Sequence, residues 1–567
     1  MYLLPAKAYP GAYFDETLSL FVRYFFAPMD RTTTEQVPNN DRTTTEQMSL
    51  QVRLKTKKIM EQDCNQHLLL ISYKKTLQRL IDLVTLAIDQ SFFMKLSKII
   101  LLNILILFVA CSSNKSQVNN TDSSAISTTT YDTSKEPALN AGELYTNITS
   151  KTDASQSYSL YIPSTNEKFT TVYFFDPHGD GSLPVKKYKP LADKYNYVLI
   201  GSNNSKNGND WQTSENIWQN LFNDTRQRLM PDHNIIYTCG FSGGAKVASY
   251  IALHHAEVSA VIAGGAGLPD DVTANNFNFS FTGIAGEGDM NMTDLVALDN
   301  SFNNTQTKHR IIFFNGKHEW APDSIMDIAF AGLQLDLMRK KFIAKNDSFV
   351  NAYIDNSKKR LNTDIKRNDL IQAERECTLS INMLDEVADA AFFQEKRSLL
   401  TESSTYKAQL QQQQNLFTIE QNKKAEYGAQ FQNGDINYWT KTINDLNTKA
   451  KVHTQEGAMY QRLLAYLSLA FYSISNQFIN QNQNDQANYF VSLYKLADPT
   501  NSEAWYFSAV LNARNNNATA AHDDLLKAVA NGFNDDKRMM LQPEFINLQS
   551  QINFPDIELK IHQQAAH

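Results

Sequence analysis

Cysteine is nearly missing: 567 residues hold four, Cys64, Cys111, Cys239 and Cys377. So few exclude the disulfide framework of a small secreted domain, and each must be read in its own context. No Cys/His cluster has zinc spacing, so neither a metal nor another cofactor is expected. Basic excess is missing too. Against 60 Asp and Glu stand 53 Lys and Arg, and the net charge of -7 offers no basic surface to nucleic acid. Long apolar runs are scarce. The run from Ile99 to Ala110, broken only by Asn103, spans about a dozen residues, too short for a comfortable membrane span. What is present, 42% hydrophobic and 20% charged residues, is the make-up of a soluble globular chain, long enough for roughly two to four domains.

The apolar run has flanks of its own. Lys95 and Lys98 precede it and Ala110-Cys111 closes it, which gives residues 94–110 the charge, length and junction of a signal peptide. Phe108-Val109-Ala110-Cys111 resembles the lipobox of bacterial lipoproteins, with Phe108 where Leu is usual. The resemblance implies that Cys111 is lipidated and becomes the mature N-terminus. The protein would then be exported and anchored to a bacterial membrane, in the periplasm or at the cell surface. Such a signal begins a protein, so residues 1–93 read as a spurious or disordered extension from an early start codon. They carry a short direct repeat, Asp30 to Gln36 and Asp41 to Gln47, with no apolar period to bury. Residues 111–141 are dense in Ser, Thr and Asn and read as a tether.

From 142 to 342 short apolar runs alternate with amphipathic stretches. Strands are expected at Tyr158–Ile162, Thr171–Phe175, Tyr197–Ile200, Asn234–Thr238, Ala260–Ala263, Phe281–Ile284 and Arg310–Phe314. Helical period runs through Pro184–Lys194, Glu215–Met230, Ala245–His255 and Ser324–Phe342. The alternation predicts an α/β domain with a mostly parallel sheet.

The apolar strand ending at Cys239 passes into a helix through Gly240-Phe241-Ser242-Gly243-Gly244, a Gly-x-Ser-x-Gly turn that holds a serine in strained backbone with its hydroxyl presented. Upstream, Phe175-Asp176-Pro177-His178-Gly179-Asp180-Gly181 leaves another strand end with two glycines. Downstream, Glu287-Gly288-Asp289 and Lys317-His318-Glu319 follow two later strands, at the sheet edge where α/β sites assemble. Asp289 is the favoured acid, with Glu287, Asp294 and the Asp270-Asp271 pair as rivals, and His318 is the favoured base. Cys239 reads as a small buried residue. The polar loop Gly201 to Gly208, with Trp211 behind it, either faces the pocket or is solvated, the latter being favoured.

In this order, residues about 155 to 335 resemble the α/β-hydrolase superfamily, in particular its secreted-esterase, dienelactone-hydrolase-like and prolyl-oligopeptidase-like branches. The resemblance implies a Ser242-His318-Asp289 triad working through an acyl-enzyme. It also implies an oxyanion hole made by the N–H of Gly243 and that of Asp180 or Gly179.

Beyond residue 343 strands and glycines become rare. Trp505, Ala509, Ala521, Leu525 and Ala528 fall at tetratricopeptide-repeat positions, with Phe471, Ser475 and Ala487 one repeat earlier and Pro499 at the closing position. Residues 457–550 therefore resemble such repeats, and 551–567 read as a tail. Residues 343–456 are helical without repeat residues: a connector, a diverged array, a long hairpin or a separate bundle. A repeat domain can be a packing scaffold or a groove for a protein or peptide partner. The favoured function is cleavage of an ester of a small molecule, lipid or polysaccharide. An amide-cleaving peptidase and a non-catalytic binding protein remain the alternatives.

Overall fold

The computed structural model describes residues 139–164, 170–229 and 235–565. The signal segment, Cys111 and nearly all of the tether lie outside the described residues. Apolar runs rich in Val, Ile, Tyr and Phe form eight strands: β1 (Leu144–Thr149), β2 (Ser157–Tyr161), β3 (Thr170–Phe175), β4 (Tyr197–Ser202), β5 (Ile236–Phe241), β6 (Val258–Gly264), β7 (Ser280–Gly286) and β8 (His309–Phe314). They make one sheet in the order β1-β2-β4-β3-β5-β6-β7-β8. The pairs β1–β2 and β2–β4 are antiparallel, and β4 through β8 run parallel. This is the α/β-hydrolase arrangement.

Burial explains the near-continuous apolar runs. β3, β4, β5 and β7 are buried at every position, as strands covered on both faces must be. On one face Val172, Phe174, Leu199 and Cys239 pack under α1 (Ser182–Tyr195) and α5 (Asp323–Arg339). On the other, Tyr173, Phe175, Val198 and Ile200 meet Trp218 of α2 (Trp211–Leu229) and Ala245, Ala248 and Ile251 of α3 (Gly243–His254). Two elements were not expected. The edge strand β1 is half exposed and lacks a clean alternation, and α4 (Met292–Phe302) is only 11 residues long and buries just Met292, Leu295 and Phe302.

The helices that follow do not form a free-standing unit. Val350 and Leu361 of α6 (Asp347–Lys366), Cys377 and Met383 of α7 (Leu370–Leu384), and Phe393 and Leu400 of α8 (Ala391–Glu402) belong to the same core as α1, α5 and the sheet. Asn382 on α7 donates to the carbonyl of His309 at 3.3 Å, so α7 shields the outer edge of β8. A second core starts in α9 (Ser404–Asn433) and runs through α10 (Ile436–Lys449), α11 (Gln455–Asn480), α12 (Asn484–Ala497), α13 (Ser502–Arg514) and α14 (Ala518–Ala530). Ala487, Ala509, Ala521 and Ala528 are fully buried there, where small side chains let helices approach closely. After α15 (Asp536–Leu541) and α16 (Pro543–Ile546), helix α17 (Phe554–Ala565) inserts Ile557 and Ile561 into this core. The stretch read as a tail is thus mostly a packed helix. Residues 139–565 belong to one compact unit, and no helix among the described residues is long and apolar enough to cross a membrane.

Candidate active site

At the end of β5 the backbone reverses direction through Ser242, whose φ of 53° and ψ of -123° put a side-chain-bearing residue in a sparsely populated region. That costs on the order of 1–3 kcal/mol and persists because its surroundings impose it. Ser242 N–H donates to the carbonyl of Gly264 at 2.7 Å. A Cβ on Gly244 would overlap the carbonyl oxygen of Phe175, so α3 starts hard against the end of β3.

Three residues singled out by the sequence meet here. His318 Nε2 lies 3.0 Å from Ser242 Oγ, and His318 Nδ1 lies 2.9 Å from Asp289 Oδ2. Asp289 is buried, and its Oδ1 accepts from Asn291 N–H at 2.9 Å. The imidazole packs against Phe241, ring centres 4.7 Å apart. The rival acids are engaged elsewhere. Glu287 turns away toward Gln372, Asp270 pairs with Lys246, and Asp294 lies in the first turn of α4. Among the other histidines, His255 pairs with Glu215 and His254 bonds the carbonyl of Tyr250. Cys239 is fully buried, and burial pushes its thiol pKa well up, leaving it unreactive.

The loop after β3 separates the two oxyanion candidates. Gly179 N–H closes a turn on the carbonyl of Asp176 at 3.2 Å and is therefore occupied. The N–H groups of Asp180 and Gly243 have no acceptor among the described residues. The Asp180 carboxylate instead caps α1, accepting from Ser182 and Leu183. His178 is 73% exposed, and Asp176 beside it raises its pKa.

Gly265, Trp320 and Arg462 were not foreseen, and Asn207 comes from the polar loop for which solvation was favoured. Gly265 has φ of 64°, and a Cβ there would press on Phe241, His318 and Asp289 together. Trp320 bonds Asp176 at 2.8 Å, linking the histidine loop to the loop after β3. Asn207 brings its side-chain oxygen against Gly243. Arg462 of α11 donates to the carbonyl of Glu287 at 2.7 Å. The loop of Asn207 shows both of the expected faces: Lys206 and Gly208 are exposed, while Ser205 is buried and Asn203 and Asn204 bond to the β1–β2 hairpin. Among the described residues no group of His, Cys, Asp and Glu could hold a metal ion.

No protein-family model matches the sequence, and no curated protein matches it. Similar solved structures include the esterase of the hyperthermophilic archaeon Pyrobaculum calidifontis, 11% identical over 32% of this chain and 78% of that one, with a TM-score of 0.27. The dienelactone hydrolase of Anabaena variabilis is 16% identical over 35% of this chain and 97% of its own, with a TM-score of 0.25. The acylaminoacyl peptidase of Pyrococcus horikoshii is 12% identical over 32% of this chain and only 39% of its own, with a TM-score of 0.25.

Proposed function

We propose that this chain is a serine hydrolase that cleaves a carboxylic ester. One observation carries the reading: Ser242, His318 and Asp289 form a continuous hydrogen-bonded line at a strained strand-to-helix turn. In this mechanism His318 takes the Ser242 proton as Oγ attacks the ester carbonyl. Asp289 orients the ring and stabilises the imidazolium. The N–H groups of Gly243 and Asp180 receive the oxyanion, the alcohol leaves with the proton from His318, and water then hydrolyses the acyl-enzyme. The reaction needs no metal or organic cofactor. The substrate class is an ester of a small molecule, lipid or polysaccharide.

Two further parts of the proposal rest on the sequence. Residues 94–111 make the protein an exported lipoprotein held to the membrane through Cys111. The repeat-like positions around Trp505 offer a surface for a protein or peptide partner.

A fluorophosphonate probe should label the folded wild type and fail on Ser242→Ala; folded protein that stays unlabelled overturns the reading. Turnover of short p-nitrophenyl esters in preference to peptide anilides is expected, and the reverse preference makes the enzyme a peptidase. Metabolic incorporation of a lipid analogue, lost in Cys111→Ala, tests the anchor.

A further inference from the structure

The helical region reaches the site at the loop that carries the acid. Arg462 is 3% exposed on α11 and donates from Nη1 to the backbone carbonyl of Glu287, two residues before Asp289, at 2.7 Å. Its Nε and Nη2 hold one oxygen of Glu420 on α9 at 2.8 and 2.7 Å. Glu420 is fully buried, with Lys424 at 3.0 Å from its other oxygen. One residue along, Gln461 lies so close to Gly288 that a Cβ there would overlap its side-chain oxygen. From the opposite side the Glu287 carboxylate accepts from Gln372 of α7 at 2.7 Å and faces Arg375 at 3.6 Å. The loop is thus held by α11 at the Glu287 carbonyl and Gly288 and by α7 through the Glu287 side chain. A second contact joins Asn534, beyond α14, to the Asp180 side chain at 3.4 Å.

Burying an Arg–Glu pair is costly, and well-packed apolar residues often serve stability as well or better. Here the pair lies inside the helical core while its spare donor leaves that core for a carbonyl on the catalytic loop. An array built only to bind a partner has no use for that donor. A triad, in contrast, is sensitive to small displacements of its acid.

We propose that the helical region is a structural part of the catalytic unit, with Arg462 as a positioning residue that fixes the Glu287–Asp289 loop so that Asp289 meets His318. This rests on the serine-hydrolase reading above.

The test uses the full chain. Glu420→Gln/Arg462→Met removes both charges of the pair together with the donor to Glu287. Arg462→Lys keeps a cation beside Glu420 but loses the fork. Arg514→Met disrupts an ion pair with Glu544 elsewhere in the helical core and serves as the control. Either Arg462 variant should lose on the order of 10²-fold in kcat on a p-nitrophenyl ester with KM nearly unchanged. The acid limb of its kcat–pH profile should shift, because the imidazolium has lost its aligned partner. The control should keep both kcat and profile. Wild-type kcat and profile in a folded Arg462 variant would overturn the proposal, as would an equal loss in the control. Should the double variant fail to fold, Arg462→Lys decides by the same criteria. Failure of the wild type to react with a fluorophosphonate would instead bring down the serine-hydrolase reading, and this proposal with it.

Discussion

Trp320 donates its indole N–H to the buried carboxylate of Asp176 at 2.8 Å, tying the loop that carries His318 to the loop that carries Asp180. Its ring also packs on Phe241, 5.5 Å between centres, and on Tyr188 at 6.1 Å. Trp320→Phe keeps much of the packing and removes the donor, leaving one oxygen of Asp176 without it. Urea unfolding should show a loss of about 1–3 kcal/mol. Ester turnover should fall with it, because His318 lies two residues away. An unchanged midpoint together with an unchanged rate would mean that the contact holds nothing in place.

The backbone at Ser242 gives a second prediction. Ser242→Ala and Ser242→Gly both abolish probe labelling, since both lose the hydroxyl. They differ in strain: Ala keeps a Cβ at φ of 53°, whereas Gly relieves it at the cost of a freer unfolded chain. Relief of about 1–3 kcal/mol against an entropic cost of about 0.5–1 leaves the Gly variant about 1 kcal/mol more stable than the Ala variant. Parallel thermal melts measure the difference, and a Gly variant no more stable than Ala would show that the turn stores no strain.

Ser242, Asp289 and His318 were legible because their signals are local: a short glycine-flanked turn, strand ends, and the order along the chain. The sheet was legible because strands buried on both faces read as apolar runs. Gly265, Trp320 and Arg462 were not, since each matters through a residue far away in sequence; Arg462 and Glu287 are 175 positions apart. Residues 347–402 show helical period but no repeat for a related reason. Their apolar faces pack on α5 and the edge of β8 instead of on copies of one another. No local pattern records that choice of neighbour.

Gly265 carries a third prediction. It lies beyond β6 in left-handed backbone, its N–H donates to Ile284, and its carbonyl accepts from the Asn291 side chain at 2.7 Å. Gly265→Ala adds a methyl that approaches His318 Cε1 at 3.0 Å and Asp289 Oδ2 at 3.2 Å, on top of the backbone strain. The expected cost is about 1–3 kcal/mol of stability, with kcat down about 10²-fold from the displaced triad. Full activity in the alanine variant would show that the triad tolerates the shift.

Asp364 on α6 makes a prediction about pH. Burial, joined by the carboxylates of Asp369 and Glu376, raises its pKa to about 6. An unfolded Asp titrates near 4, so the native state carries no penalty below that pH and becomes progressively penalised as pH rises from about 4 to 6. Asp364→Asn should therefore be more stable than wild type above pH 6, by about 1 kcal/mol once the group's partial exposure is allowed for. The gain should vanish below about pH 4. Denaturant midpoints at pH 4 and pH 7.5 supply the comparison; a gain that persists at pH 4 would rule out this origin.

The shared first core predicts how the chain responds to truncation. Ending it after Phe342 removes α6–α8, which bury Ile328, Phe330, Leu333 and Leu337 of α5 in one cluster with Val350, Leu361 and Met383. The cut also takes the carbonyls of Asn382 and Met383 from Arg339, and Asn382 from the edge strand β8. Uncovering a large apolar side chain costs about 1.5–3 kcal/mol, so exposing several approaches the whole stability of a typical domain, about 5–15 kcal/mol. A bare strand edge adds a route to aggregation. The 1–342 chain should therefore be insoluble or melt without cooperativity, although it contains every residue of the triad. Ending the chain after Ser403 keeps the first core but removes α9 and α11, so it should remain folded while its fluorophosphonate labelling slows for want of Arg462. Soluble yield, thermal melts and labelling rates distinguish the two cuts. A soluble, cooperatively melting 1–342 chain would show that the eight-stranded sheet needs no helical cover.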